Sequence, residues 1–179
     1  RKLIDAAMFA GADAVKFQKR TVELVYADQM DAPRESPWGN TNGAQKLGLE
    51  FGISEYVEID GYCRGLGIPW LCSAWDIPSL EFLRPFNLPY NKIASAMLTH
   101  DAFVREVGKE QKPTFLSTGL STLEQVDHAL DILYIAGCHD VTIMHCVGTY
   151  PCPESDLNLR MIPVLAERYP QYKIGYSGH

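Results

Sequence analysis

Two lysines lie inside short strand-like runs, Lys16 in Ala14-Val15-Lys16-Phe17-Gln18 and Lys92 in Tyr90-Asn91-Lys92-Ile93-Ala94-Ser95. An ammonium there is costly to bury unless a structural carboxylate or an anionic ligand meets it. Two such lysines shift the balance toward an anion site. Other polar residues close further apolar runs: Ser73 after Trp70-Leu71-Cys72, Ser117-Thr118-Gly119, His145-Cys146 before Tyr150-Pro151, and Gly175-Tyr176-Ser177-Gly178-His179. The Ser117-Thr118-Gly119 turn leads into a helix start, so amides and hydroxyls can converge on phosphate or carboxylate oxygens, although alone it would be only a cap. With Ser73 and Ser95 as further donors, these groups outline one pocket on the rim of a parallel sheet.

Strands and helices alternate to carry them. Apolar runs at 13–18, 68–73, 90–95, 113–117, 141–146 and 172–176 predict six strands, separated by amphipathic helices at 54–65, 77–82, 101–107, 121–136 and 157–168. Ser121 and Glu124 predict a capping box for the fourth of these helices, and Asp76 with Pro78 a second helix start. Within the first strand Ala14, Lys16 and Gln18 share one face, while Val15 and Phe17 share the other and can pack on helices. Such alternation requires parallel strands joined by crossovers, hence an α/β fold. The absence of a dinucleotide glycine fingerprint favours a (β/α)8 barrel, seen in part, over an open sheet. The connection from Lys19 to Ile53, rich in Gly and Pro but carrying Tyr26 and Trp38, predicts a packed lid.

The chain opens on a helix without a cap or initiator methionine and closes on a strand, so it reads as a piece of a longer protein. Its 179 residues are 46% hydrophobic and 21% charged, ordinary for a globular unit, and a net charge of -6 argues against nucleic acid or an anionic membrane as main partner. No run approaches a bilayer span or a signal peptide, which makes a cytoplasmic protein the expectation. Five cysteines, odd in number and without a C-x-x-C pair, fit neither a disulfide framework nor a zinc site. His145, inside Val-Thr-Ile-Met-His-Cys, reads as a hydrogen-bonded core histidine rather than a ligand.

As a set, Gly11-Ala12-Asp13-Ala14-Val15-Lys16-Phe17-Gln18, Lys92-Ile93-Ala94-Ser95, Leu116-Ser117-Thr118-Gly119, His145-Cys146 through Tyr150-Pro151, Asn158-Leu159 and Gly175-Tyr176-Ser177-Gly178-His179 resemble the N-acetylneuraminate (sialic acid) synthase family. The resemblance covers nearly the whole chain, with Gly-Ala-Asp-Ala-Val-Lys-Phe-Gln its strongest element. It implies a (β/α)8 catalytic domain spanning 1–179, of which strands two to seven are present. The first and eighth strands and a C-terminal antifreeze-like domain that reaches across a homodimer would lie outside this chain.

The resemblance also implies condensation of phosphoenolpyruvate with an N-acetylmannosamine-type hexose to a nine-carbon 2-keto sugar acid, using Mn2+ or Mg2+. Lys16 and Lys92 would be catalytic. Ser73, Ser95, Ser117 and Ser177 match contacts to phosphoenolpyruvate, Gln18 and Tyr150 lie near the acceptor sugar, and His179 matches one of two metal-binding histidines. The metal would polarise the sugar aldehyde. Two departures bear on acceptor specificity and activity: Met97 stands where many members carry a glutamate, and Gly148 where some carry an asparagine. A Schiff-base aldolase and a non-catalytic homologue serving as a binding subunit are the competing readings. An aldose phosphate as acceptor would want a further basic cluster, which the sequence does not display.

Overall fold

A strand that puts Val15 and Phe17 on one face needs helices to cover that face, and the computed structural model supplies them. It describes residues 1–179 as two units, Arg1–Leu88 and Pro89–His179. The first unit runs α1 (Lys2–Phe9), β1 (Val15–Lys19), α2 (Val22–Val25), β2 (Pro33–Ser36), β3 (Gly39–Thr41), α3 (Asn42–Leu49), α4 (Ile53–Leu66), β4 (Trp70–Ala74) and α5 (Ile77–Leu83). β1 pairs in parallel with β4, from Val15 opposite Trp70 to Lys19 opposite Ala74. Phe17 meets the rings of Tyr56 and Trp70 edge-on at 6.5 and 5.9 Å, and Tyr56 meets Phe82 at 5.4 Å. Such offset aromatic pairs add about 0.5–1.5 kcal/mol each beyond the area they bury. With Phe17 turned to Tyr56 of α4 and Val15 buried on the same face, Lys16 and Gln18 are left exposed on the opposite face.

The ends of β1 and β4 are tied by one carboxylate. Asp76, almost fully buried, accepts from the Thr21 amide at 2.7 Å, the Thr21 hydroxyl at 2.9 Å and the Ser79 amide at 2.7 Å. The last of these is the cap expected at the start of α5, which also carries Pro78 in its first turn.

The long connection is folded rather than slack. It contains an antiparallel β2–β3 hairpin and α3, whose N-cap Thr41 accepts from the Ala44 amide at 3.1 Å. The hairpin was not expected, because Pro33-Arg34-Glu35-Ser36 has no apolar alternation and is largely exposed. A Cβ on Gly48 would fall 2.1 Å from Cγ of Trp38, so only glycine lets that indole lie against α3.

The second unit runs β5 (Asn91–Ile93), α6 (Asp101–Gly108), β6 (Thr114–Ser117), α7 (Leu123–Ile135), β7 (Val141–Cys146), α8 (Met161–Arg168) and β8 (Lys173–Ser177). The four strands pair in parallel in chain order, with Lys92 opposite Phe115, Ser117 opposite Met144 and Cys146 opposite Ser177. Their core is Ile93, Phe103, Val104, Leu116, Leu133 and Ile143, all fully buried.

Two local expectations are corrected here. The capping box of α7 sits one residue later than Ser121 and Glu124: the Thr122 amide donates to Oε1 of Gln125 at 2.9 Å, and the Gln125 amide to the Thr122 hydroxyl at 3.3 Å. Ser121 instead turns back to the Gly119 carbonyl. Both residue pairs satisfy the same pattern in sequence, and the turn entering from Gly119 selects between them. The helix expected from 157 begins at Met161, because Asn158 takes a left-handed conformation (φ 45°) that no helix accommodates.

Candidate active site

In the second unit the strand ends bring several expected residues together. The Lys92 ammonium donates to the Ser117 hydroxyl and to the Ile93 carbonyl, the latter at 3.1 Å. Gly119 closes the adjoining turn so tightly that a Cβ there would lie 2.9 Å from Oγ of Ser95 and 3.2 Å from the Cys146 carbonyl. Cys146 is in turn the register partner of Ser177. Lys92, Ser117 and Ser95 are thus ordered by strand register and by one glycine. Thr118 is turned away, its hydroxyl donating to the Met144 carbonyl at 3.1 Å.

Tyr150 and His179 also meet. The loop after β7, with a cis Tyr150–Pro151 bond, carries the phenol to 2.8 Å from Nε2 of His179, and the Cys152 amide donates to the His179 carbonyl at 2.6 Å. Beside this loop lies a cleft of about 730 Å³ whose wall includes Thr118, Leu120, His145, Gly148, Thr149 and Asn158. His145 is buried and its Nε2 donates to the Leu157 carbonyl at 2.8 Å. Its sequence reading as a hydrogen-bonded core residue agrees with this.

Nowhere are three or more His, Cys, Asp or Glu side chains gathered so as to hold an ion. His179 offers one imidazole, which is not a metal site, so the residues of this chain do not by themselves fit the divalent metal. All five cysteines are free thiols.

In the first unit Lys16 is exposed on the open face of β1, and protein mass around its stem lowers its pKa by desolvation, with Arg20 adding repulsion and Cys72 opposing. Burial pushes the Cys72 thiol up to about 12, so it is neutral near pH 7 and gives Lys16 no counter-charge. No hydrogen bond or ion pair holds the Lys16 ammonium. Gln18 accepts from the Arg20 guanidinium, and its carbonyl accepts from the buried Tyr56 hydroxyl at 2.8 Å. Ser73 is buried opposite Gln18 in the register.

The two departures have different packing. Met97 is buried as a core residue in the turn after Ser95. Gly148 lies under the side chain of Leu120, an exposed residue held at φ 64°, and a Cβ on Gly148 would come 2.5 Å from Cδ2 of Leu120. Restoring a side chain at that point is therefore expected to cost stability. Gly148→Asn should lose about 1–2 kcal/mol in urea unfolding, and Leu120→Ala in the same chain should return most of it.

Sequence reasoning missed Asp76 and Tyr56 as the groups that fix the ends of β1 and β4, since their partners lie far away in the chain. It also missed a basic cluster. Lys19 and Arg20 both pair with Glu50, at 3.6 and 3.1 Å, and Lys46 stands near enough to Arg34 and Arg20 to feel their charge. Adjacent Lys19-Arg20 was the only signal, and Glu50, thirty residues on, gave no sign of closing on it.

A profile of the NeuB family matches residues 3–179. Among curated proteins the chain is 34% identical to N-acetylneuraminate-9-phosphate synthase of Drosophila melanogaster, over 100% of this chain and 49% of that protein. It is 28% identical to N,N'-diacetyllegionaminic acid synthase of Campylobacter jejuni, over 100% of this chain and 55% of that one. The chain spans about half the length of the curated relatives it matches. Among solved structures, the sialic acid synthetase of Leptospira borgpetersenii superposes with a TM-score of 0.84 at 27% identity, covering 99% of this chain and 58% of that one. Spore coat polysaccharide biosynthesis protein SpsE of Bacillus subtilis gives 0.81 at 31% identity, covering 99% and 48%. The repeated parallel strand and helix units, with these likenesses, make the fold α/β, a (β/α)8 barrel present in part. With the family profile running from residue 3 to the last residue, the chain belongs to the NeuB family.

Proposed function

We propose that the whole protein is a phosphoenolpyruvate-dependent synthase of nonulosonic acids, joining phosphoenolpyruvate to an N-acetylmannosamine-type sugar with release of phosphate. The observation that carries this is the convergence of Lys92, Ser117 and Ser95 at the ends of β5 and β6, in a chain whose relatives are named as synthases of such acids. A cation joined to hydroxyl donors suits a carboxylate or phosphoryl oxygen.

In the reaction, C3 of the enol forms a bond to the aldehyde carbon, and the cation at C2 is captured by water. The tetrahedral intermediate then breaks its C2–O bond, so phosphate leaves with the bonding pair and the 2-keto acid remains. Lys92 with Ser95, Ser117 and Ser177, and Lys16 with Ser73, are assigned to the donor's two anionic groups. Their electrostatic help grows as phosphate departs. Gln18 and Tyr150 are assigned to the acceptor. A divalent Mn2+ or Mg2+ belongs to the proposal with His179 as one donor, and no step is derived through it.

A homodimer in the cytoplasm is also part of this reading. No helix is long and apolar enough to cross a membrane.

The test uses the full-length protein with phosphoenolpyruvate, Mn2+ and an N-acetylated hexose, following phosphate. Release that depends on the sugar, together with a nine-carbon keto acid by mass spectrometry, is the expected result. A protein that binds phosphoenolpyruvate yet releases nothing with any N-acetylhexose would be the non-catalytic homologue instead. One observation favours a Schiff-base aldolase: the Lys16 pKa is lowered, as an imine-forming lysine needs. Borohydride with pyruvate is expected to leave Lys16 unmodified, and a trapped adduct there would install the aldolase in place of the synthase.

A further inference from the structure

The loop between β7 and α8 carries Tyr150, and burial does little to hold it. Residues 149–151 and 153–156 are exposed, and its two limbs, with Gly148 and Thr149 on one and Asp156 and Asn158 on the other, border the cleft of about 730 Å³ instead of packing on the core. A segment with so few buried contacts opens locally at small cost unless specific bonds tie it down. In its middle the loop is tied to the end of β8, where the Tyr150 hydroxyl and the Cys152 amide both meet His179. On its returning limb it is tied to β7, where the Leu157 carbonyl accepts from Nε2 of His145 at 2.8 Å.

His145 also reaches β8. It stands opposite Tyr176 in the register, and the two rings stack at 6.0 Å with 26° between their planes. The Tyr176 ring in turn lies against Gly178, where a Cβ would come 2.8 Å from Cε1 of Tyr176. One buried imidazole therefore joins the returning limb of the Tyr150 loop to the strand end that carries Ser177 and His179.

We propose that His145 is a positioning residue of the acceptor site: its N–H on Leu157 and its ring on Tyr176 hold the loop so that Tyr150 stands against His179. The inference rests on the reading of Tyr150 as an acceptor contact made above. Loss of His145 is felt by the acceptor and not by the donor, whose residues Lys92, Ser95 and Ser117 are ordered by β5, β6 and Gly119.

The test compares His145→Asn with His145→Gln in the full-length protein. Both replace the imidazole by an amide and both lose the stacked ring, but only glutamine carries an N–H as far from the backbone as Nε2. His145→Asn is expected to raise KM for the N-acetylated hexose about fivefold to tenfold, the worth of one such hydrogen bond, with KM for phosphoenolpyruvate changed by less than about twofold. His145→Gln should bring the hexose value back to within about twofold of the unchanged protein.

Amide hydrogen exchange, followed without substrate, is the second readout. His145→Asn should speed exchange at Cys152, Asp156 and Leu157, whose amides are hydrogen-bonded within the loop or to His179, and leave α6 unaltered. A histidine that merely held the fold would loosen α6 and the loop alike and depress activity toward both substrates together. That result, or asparagine and glutamine variants that behave identically, would overturn the proposal. Absence of hexose-dependent turnover even in the unchanged protein counts against the synthase reading, and the exchange at Cys152 and Leu157 then decides whether His145 holds the loop.

Discussion

Lys16→Met is expected to lower kcat/KM for phosphoenolpyruvate by about a thousandfold while leaving the midpoint of thermal unfolding unchanged or higher. The two effects have one origin. Removing a donor aimed at developing charge costs about 3–4 kcal/mol of transition-state stabilisation. In the ligand-free protein the same ammonium has no hydrogen bond or ion pair, and desolvation lowers its pKa, so the fold gains nothing from the charge and, with the residue exposed, holds it at a small cost. Methionine keeps the apolar stem and removes the charge.

The pH dependence runs the same way. In the unfolded chain Lys16 titrates near its ordinary 10.5, and in the folded protein below it, so between the two values the unfolded state binds more protons. The cost of the charged lysine is therefore present in full below the folded pKa. Stability contributed by this group rises as pH climbs through that value toward 10.5. Binding of phosphoenolpyruvate, which needs the ammonium, should fail over the same alkaline range. A stability curve for Lys16→Met lacking that alkaline gain, relative to the unchanged protein, is the check. A large drop in melting temperature at neutral pH would show instead that Lys16 holds the fold.

Asp76→Ala should do the reverse, unfolding the protein at lower urea while leaving the chemistry of surviving folded molecules intact. Three donors lose their acceptor at once, the Thr21 amide and hydroxyl and the Ser79 amide. Buried donors left unsatisfied cost about 1–3 kcal/mol each, and the lost cap lies in the same range, so a destabilisation of about 3–5 kcal/mol is expected. Equilibrium urea unfolding of the full-length protein measures it. Asp76→Asn, which keeps one acceptor oxygen, should recover part of the loss, and a variant indistinguishable from the unchanged protein would mean water replaces the carboxylate.

Much of the architecture was readable because its signals are local. The strand at Val15–Lys19 shows itself by alternation, and Lys16 and Gln18 could be placed on one face from spacing alone, since successive strand residues point to opposite sides. Asp76 and Pro78 announce α5 by chemistry confined to a single turn. By contrast, β2 at Pro33–Ser36 has no periodicity to detect, and its pairing with β3 is enforced by packing around Trp38 and Gly48.

The chain's residues determined on their own that parallel strands would alternate with helices, and which lysines would lie within those strands and which hydroxyls would close them, because period and capping act over a few residues. Only the tertiary structure decided what those groups touch: Lys92 on Ser117, Tyr150 on His179, Leu120 over Gly148, and Glu50 against Lys19 and Arg20. Each of these contacts joins residues many positions apart, and the balance of charge at such a meeting depends on distances that no local pattern encodes.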